Sequence, residues 1–180
     1  MTEETRLVET QGGLAPTDDG WFVVNVRESV WVTSPVLGDA GIFENEDLPA
    51  WPQLGFTIAV LRPGQSGGRY HGESNQEDFL VLSGECLLLI EGEERGLRAW
   101  DFVHCPAWAE HVFVGAGDGP CAVLAIGGRS GGNVIYPESE LAQRHKAGVE
   151  KETTSSPREA YAPFPRWEPG RPSFDGLPWG

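Results

Sequence analysis

Between Phe56 and Ile126 the chain is a succession of short apolar runs separated by turn residues, with no helical periodicity between them. The central part is the most regular. Phe79 to Leu82 reads as a strand, Ser83-Gly84-Glu85 as a tight turn, and Cys86 to Ile90 as the returning strand. Further strands are predicted at Phe56–Leu61, Gly96–Trp100, Phe102–Cys105, His111–Val114 and Cys121–Ile126, and before them at Trp21–Val26 and Ser29–Thr33. Many short strands at this spacing imply an antiparallel sandwich or barrel, since parallel strands need long crossovers. The expected fold is therefore all-β, an antiparallel jelly roll. The 24 glycines and 14 prolines supply the turns, and seven Trp, eight Phe and three Tyr supply large groups for a core or a pocket wall.

At 180 residues the chain suits one principal core with added segments. Residues 1–20 read as a polar arm and residues 21–136 as the barrel, with a long loop at 34–53. Residues 137–148 read as one short C-terminal helix, with Pro137 at its first position, acids in its first turn and Arg144, His145 and Lys146 closing it. Residues 149–180 form an extended tail. Its five large aromatics, Tyr161, Phe164, Trp167, Phe174 and Trp179, predict docking on the barrel or on the partner subunit of a homodimer.

Thirteen basic residues against 27 acidic ones leave a formal charge of −14. Such a surface repels a phosphate polyanion, so nucleic acid is not an expected partner. No run of about 18 apolar residues is present, so no membrane helix is expected. The first residues lack a basic start and an apolar core, and a cytoplasmic location is expected. Cys86, Cys105 and Cys121 are odd in number and lie in apolar runs, the pattern of buried reduced thiols rather than of a disulfide framework.

Four residues carry the chemistry. His71 and Glu73 stand two apart, so on an extended chain they face the same way. Glu77 shares parity with Phe79 and Val81, and His111 shares it with Phe113. If the strands lie side by side, all four donors converge inside the barrel. Imidazole nitrogen and carboxylate oxygen suit one divalent transition metal (Fe, Mn, Zn or Ni), and two histidines with a carboxylate and open positions is a pattern of non-haem iron oxygenases. His104 reads as a structural histidine, and His145 as a helix-end residue. Cys105 reads as a packed thiol. Arg62 and Arg69, flanking the segment, read either as surface residues or as holders of an anionic substrate. Tyr70 has the opposite parity and should face outward.

The run His71-Gly-Glu73-Ser-Asn-Gln-Glu77, followed after six residues by Gly84 and preceded by Pro63-Gly64, resembles the first motif of the cupin superfamily. The segment from Asp101 through Pro106 to His111 resembles the second, and the resemblance spans roughly residues 55–127. It implies a double-stranded β-helix that holds a metal through His71, Glu77 and His111. Glu73 stands where the family usually has a second histidine. Trp100 and Trp108 stand where glycines are usual, and Gly115 where Asn is usual. The spacing of His71, Glu77 and His111 is also similar to the ligand set of 3-hydroxyanthranilate dioxygenases. The resemblance implies a small-molecule ligand in the barrel and either a dioxygenase- or isomerase-like metalloenzyme, a non-catalytic binding or sensor protein, or a metal-stapled dimer.

Overall fold

The structure, a computed structural model, describes residues 3–150 and 153–180. The ends of the expected arm and tail at residues 1–2 and 151–152 lie outside the described residues. The chain opens with β1 (Leu7–Glu9) and β2 (Leu14–Pro16), which pair as a small hairpin. The body follows with β3 (Val30–Ser34), β4 (Gly38–Ile42), β5 (Leu54–Leu61), β6 (Gly72–Glu73), β7 (Glu77–Ser83), β8 (Glu85–Ile90), β9 (Glu93–Arg98), β10 (Phe102–Cys105), β11 (His111–Ala116), β12 (Cys121–Gly128) and β13 (Val134–Ile135). Then come α1 (Glu140–Arg144), α2 (Pro157–Ala160) and β14 (Glu168–Pro169).

Every strand pair named above is antiparallel. One sheet runs β10-β7-β12-β5-β4-β3-β14, and a second runs β11-β8-β9. Backbone bridges from Ser66 to Val114 and from His71 to His111, together with the β6–β13 pair, extend the second sheet beyond β11. The inner faces of the two sheets enclose Leu61, Phe79, Val81, Cys86, Leu88, Val103, Cys105, Phe113, Cys121 and Val123. All-β architecture of the jelly-roll type is thus what the chain adopts.

Strict alternation along the strands gives each sheet a second apolar face, and each is covered by a segment from outside the barrel. Behind the second sheet, Tyr70, Leu89, Val112 and Val114 pack on Ala142 and Ala147 around α1. Tyr70 therefore faces away from the barrel lumen but is buried, its hydroxyl accepting from the Gly92 amide at 3.3 Å. Behind the first sheet, Trp31, Ile58, Val60 and Ala122 pack on Leu177, with Phe174 and Trp179 alongside. The Trp31 and Phe174 rings meet edge to face at 5.3 Å, and the Trp31 indole donates to the Val26 carbonyl at 2.8 Å. The end of the tail thus covers the barrel of its own chain.

Several local expectations are corrected. Trp21–Val26 is not a strand: Trp21 makes a single bridge to Glu4, and the Val26 carbonyl is taken by the side chains of Ser29 and Trp31. The glycine-rich stretch 34–53 contains β4, because Gly41 lets the strand lie flat against the Trp31 ring. The helix expected over 137–148 covers only 140–144. Its first residue is Glu140, not Pro137; Ser139 caps it, with its hydroxyl accepting from the Ala142 amide, and Lys146 turns left-handed (φ 59°). The tail is not structureless: Pro157 starts α2 behind the cap Ser156, and β14 adds to the edge of β3.

Arg69 explains how the tail segment is held. It is 3% exposed, and its side chain donates to the carbonyls of Ala160 and Gly148 while its guanidinium lies 3.9 Å from the centre of the Phe164 ring. Neither the surface role nor the anion-holding role expected for it applies. Arg62 is half exposed and pairs with the buried Asp39 at 3.0 Å.

The departures from the motif pattern have a backbone reason. Trp100 (φ 74°) and Trp108 (φ 71°) occupy the left-handed region that glycine adopts without cost. A Cβ at Gly115 would collide with the Arg62 carbonyl, where residues 62–65 cross β11. Trp100 is 74% exposed, so its side chain gives little packing in return for the strain. Trp100→Gly is therefore expected to raise unfolding stability by about 1 kcal/mol in urea titrations, and a loss of stability would show that the left-handed indole is held by contacts that outweigh its strain.

Candidate metal centre

The site forms where the two sheets meet at one end of the barrel. Glu77 opens β7 and points inward with Phe79 and Val81; His111 opens β11 and points inward with Phe113. The His71 and His111 backbones exchange two hydrogen bonds, of 3.1 and 2.8 Å, which sets the imidazoles side by side with ring centres 5.0 Å apart. Glu73, two residues on, faces the same opening from β6.

The imidazoles are oriented by their far nitrogens. The Nδ1 of His71 lies 2.7 Å from the Arg69 carbonyl, and that of His111 lies 2.9 Å from the Ala109 carbonyl. A carbonyl only accepts, so each Nδ1 carries a hydrogen, and in its neutral form each ring presents a bare Nε2 lone pair to the site. From His111 Nε2 to Glu77 Oε2 is 3.5 Å; from His71 Nε2 it is 3.9 Å to the same oxygen and 3.5 Å to Glu73 Oε1. His71, Glu77 and His111 offer one ligand atom each within 4.8 Å of one another, and Glu73 stands outside that set. Of the four residues expected from the sequence, three converge and the fourth lies at the rim, about one-third exposed.

Burial and the close spacing of the four groups set their electrostatics. Burial, reinforced by the Glu73 carboxylate, pushes Glu77 up to about 7. Burial and the adjacent His71 pull His111 down to about 4. Burial also opposes the charged form of His71, but the carboxylates of Glu73 and Glu77 outweigh it and raise His71 overall. The hydrogen bond to His71 lowers Glu73 despite its burial. Two imidazoles that present Nε2 in their neutral forms and a buried carboxylate that resists ionisation fit a divalent cation, whose positive charge would offset that of the ionised carboxylate.

The set lies at one side of a cleft of ≈ 500 Å³ lined by Glu73, Glu77, Thr57, Asn75, Arg129 and Tyr136, among others. Gly127, paired with Glu77 in the ladder, adds no side chain there. Tyr136 was not legible as a site residue: it follows β13, and only the pairing of β13 with β6 brings its ring 5.9 Å from His71. Burial raises its hydroxyl well above the usual phenol range, so it stays protonated. The remaining candidates lie elsewhere. His104 pairs with Asp78 at 2.7 Å on the outer face, His145 with Glu94 at 2.8 Å, and Cys105 is buried in the core with its thiol pushed up to about 12 by that burial.

Residues 57–127 match the family profile of the Cupin domain. This part of the chain is a cupin domain. No curated protein sequence matches the chain. Among solved structures it is similar to a candidate sugar phosphate isomerase from Acidithiobacillus ferrooxidans (27% identity over 46% of this chain and 54% of that one, TM-score 0.43). It is also similar to a predicted oxalate decarboxylase from Thermotoga maritima (20% identity, 59% and 98% covered, TM-score 0.51) and to the polyketide cyclase RemF from Streptomyces resistomycificus (15% identity, 79% and 93% covered, TM-score 0.54). The chain spans about half the length of the first of these. The likeness to the last two is one of fold, and with RemF it reaches beyond the cupin domain. Among the described residues, no helix is long and apolar enough to cross a membrane.

In the metal-free protein Glu77 favours the folded state only while it holds its proton. Its raised value means that this contribution is complete below about 4.5 and is lost as pH rises through about 7. Glu77→Gln should therefore stabilise the metal-free protein at pH 8, by about 1–3 kcal/mol, and give no gain at pH 4. Urea titrations at the two pH values measure this, and equal effects at both would show that Glu77 does not resist ionisation.

Proposed function

We propose that the protein is a metal-dependent enzyme acting on a small molecule, of the oxygenase or isomerase type. In this reading one divalent ion (Fe, Mn, Zn or Ni) is held by His71 Nε2, His111 Nε2 and the Glu77 carboxylate, with Glu73 as fourth donor from the rim. The observation that carries it is that Glu77, which converges with His71 and His111, also lines an open cleft, together with Glu73. Structural metal sites are usually closed off by their protein ligands, whereas catalytic ones keep a position for substrate, and the open space beside Glu73 and Glu77 provides one.

Bound there, the ion would act as a Lewis acid on a substrate oxygen. The chain's own contributions are positional. The Arg69 and Ala109 carbonyls hold the imidazoles in the tautomer that presents Nε2, as partners behind metal-ligating histidines do. Tyr136 keeps its proton and offers a hydrogen-bond donor from the cleft wall. Phe79 and Phe113, packed 4.7 Å apart below His111, keep water from the lumen side.

Metal titration by calorimetry tests the ligand set. His71→Ala, Glu77→Ala and His111→Ala are each expected to weaken binding by roughly 100-fold or more, and Glu73→Gln by roughly 10-fold. Retention of full affinity in any of the first three would remove that residue from the set. Affinity should rise with pH through about 7, because Glu77 must lose its proton to bind. Openness is tested separately with the Co(II)-loaded protein: its visible spectrum should change on adding imidazole, and a spectrum that does not respond would mark a closed structural site and end the enzyme reading.

A further inference from the structure

The cleft carries one cationic side chain among the described residues, Arg129. Its charge is already answered. Nη1 and Nη2 lie 2.7 and 2.6 Å from the two carboxylate oxygens of Glu44, and Nη1 also donates to the Trp51 carbonyl at 3.0 Å. Glu44 is fixed in turn by the Trp51 amide at 2.6 Å and is largely buried. Despite that burial, the bonds from Arg129 and from the Trp51 amide hold Glu44 below the usual carboxylate range, and Glu44 raises Arg129, so the pair stays ionised together.

A bidentate pair of this kind spends the net charge of the guanidinium without using all its hydrogens. The Nε hydrogen and one Nη2 hydrogen have no acceptor among the described residues. The guanidinium lies against Gly55, where a Cβ would stand 2.7 Å from Nη2 and 2.9 Å from Nε, so a side chain there would press on the guanidinium. The rest of the polar lining is uncharged apart from Glu73 and Glu77: Thr57, Asn75, Asn133 and Tyr136. With a divalent ion in place, those two carboxylates balance its charge as well. The cleft then offers hydrogen bonds without net positive charge.

We propose that the cleft selects an uncharged, oxygen-rich small molecule and excludes anions, with Glu44 as the specificity-determining residue that neutralises Arg129 where it lines the cleft. This rests on the reading of the cleft as the ligand site of the metal centre. Glu44 lies outside the cleft lining and touches no reacting group, so its effect runs through Arg129 alone.

The test uses the full chain and inorganic phosphate as the probe, titrated calorimetrically into the metal-free protein so that direct coordination of phosphate to a metal does not contribute. Glu44→Gln, which keeps the size of the side chain and one oxygen for the Trp51 amide, is expected to bind phosphate at least 10-fold more tightly than the unaltered protein. The gain should vanish in the double variant with Arg129→Gln. Equal phosphate affinity in Glu44→Gln and the unaltered protein would overturn the proposal. The double variant also provides a second measure that holds even if Glu44→Gln alone fails to fold, because it removes both charges of the pair. It should bind phosphate as the unaltered protein does, and a 10-fold loss would mean that Arg129 already reads anions with Glu44 in place. Metal titration of the same variants distinguishes this from failure of the metal site, since Glu44→Gln is expected to bind metal as the unaltered protein does.

Discussion

The two hydrogen bonds exchanged by the His71 and His111 backbones hold the functional end of this molecule together. They tie the segment after Arg69 to β11 and so carry the second sheet past its three regular strands. They also place two imidazoles against each other at a fixed spacing, which neither strand does alone. Once β11 is docked, alternation sends His111 and Phe113 into the lumen and Val112 and Val114 to the outer face. The convergence of the candidate metal donors and the outer packing layer are therefore set by the same register, and a one-residue slip would lose both.

Two further constraints follow from having apolar residues on both faces of each sheet. A barrel can fill its own lumen, but the outer faces need separate cover. Here α1 and the residues around it cover the second sheet, and the Phe174–Trp179 region covers the first. The clamp that ties the added segments down, Arg69, sits two residues before His71, and its own carbonyl orients the His71 ring. Burial of a guanidinium lowers its preference for charge, and the α2-end carbonyl of Ala160 and the face of Phe164 offset part of that cost. Docking of the C-terminal region and presentation of a metal donor are thus mechanically one feature.

Legibility in the sequence divided along the same physical line. Alternation and turn chemistry are local, so the central strands from Glu77 to Gly128 were readable to within one or two residues in most cases, and the parity of Glu77 and His111 was readable with them. Segments whose structure depends on distant partners were not. β4 reads as loop because its glycines only make sense against the Trp31 ring, and Trp21–Val26 reads as strand although its carbonyls are claimed by side chains. Tyr136 and the Glu44–Arg129 pair carry no local signal at all, since residues 65 and 85 positions apart meet only after the sheets have closed.

By itself the sequence determined the all-β class, the inward parity of His71, Glu77 and His111, and the substitution of Glu73 where a second histidine is usual, because periods of two and motif spacings are written in the chain. Only the tertiary structure decided that three of these donors meet within 4.8 Å while Glu73 stays at the rim, that Trp100 and Trp108 take the glycine conformation, and that the one cationic side chain described in the cleft is neutralised by Glu44. Those outcomes depend on how two sheets and three outer segments pack against one another, and long-range packing leaves no period in a sequence.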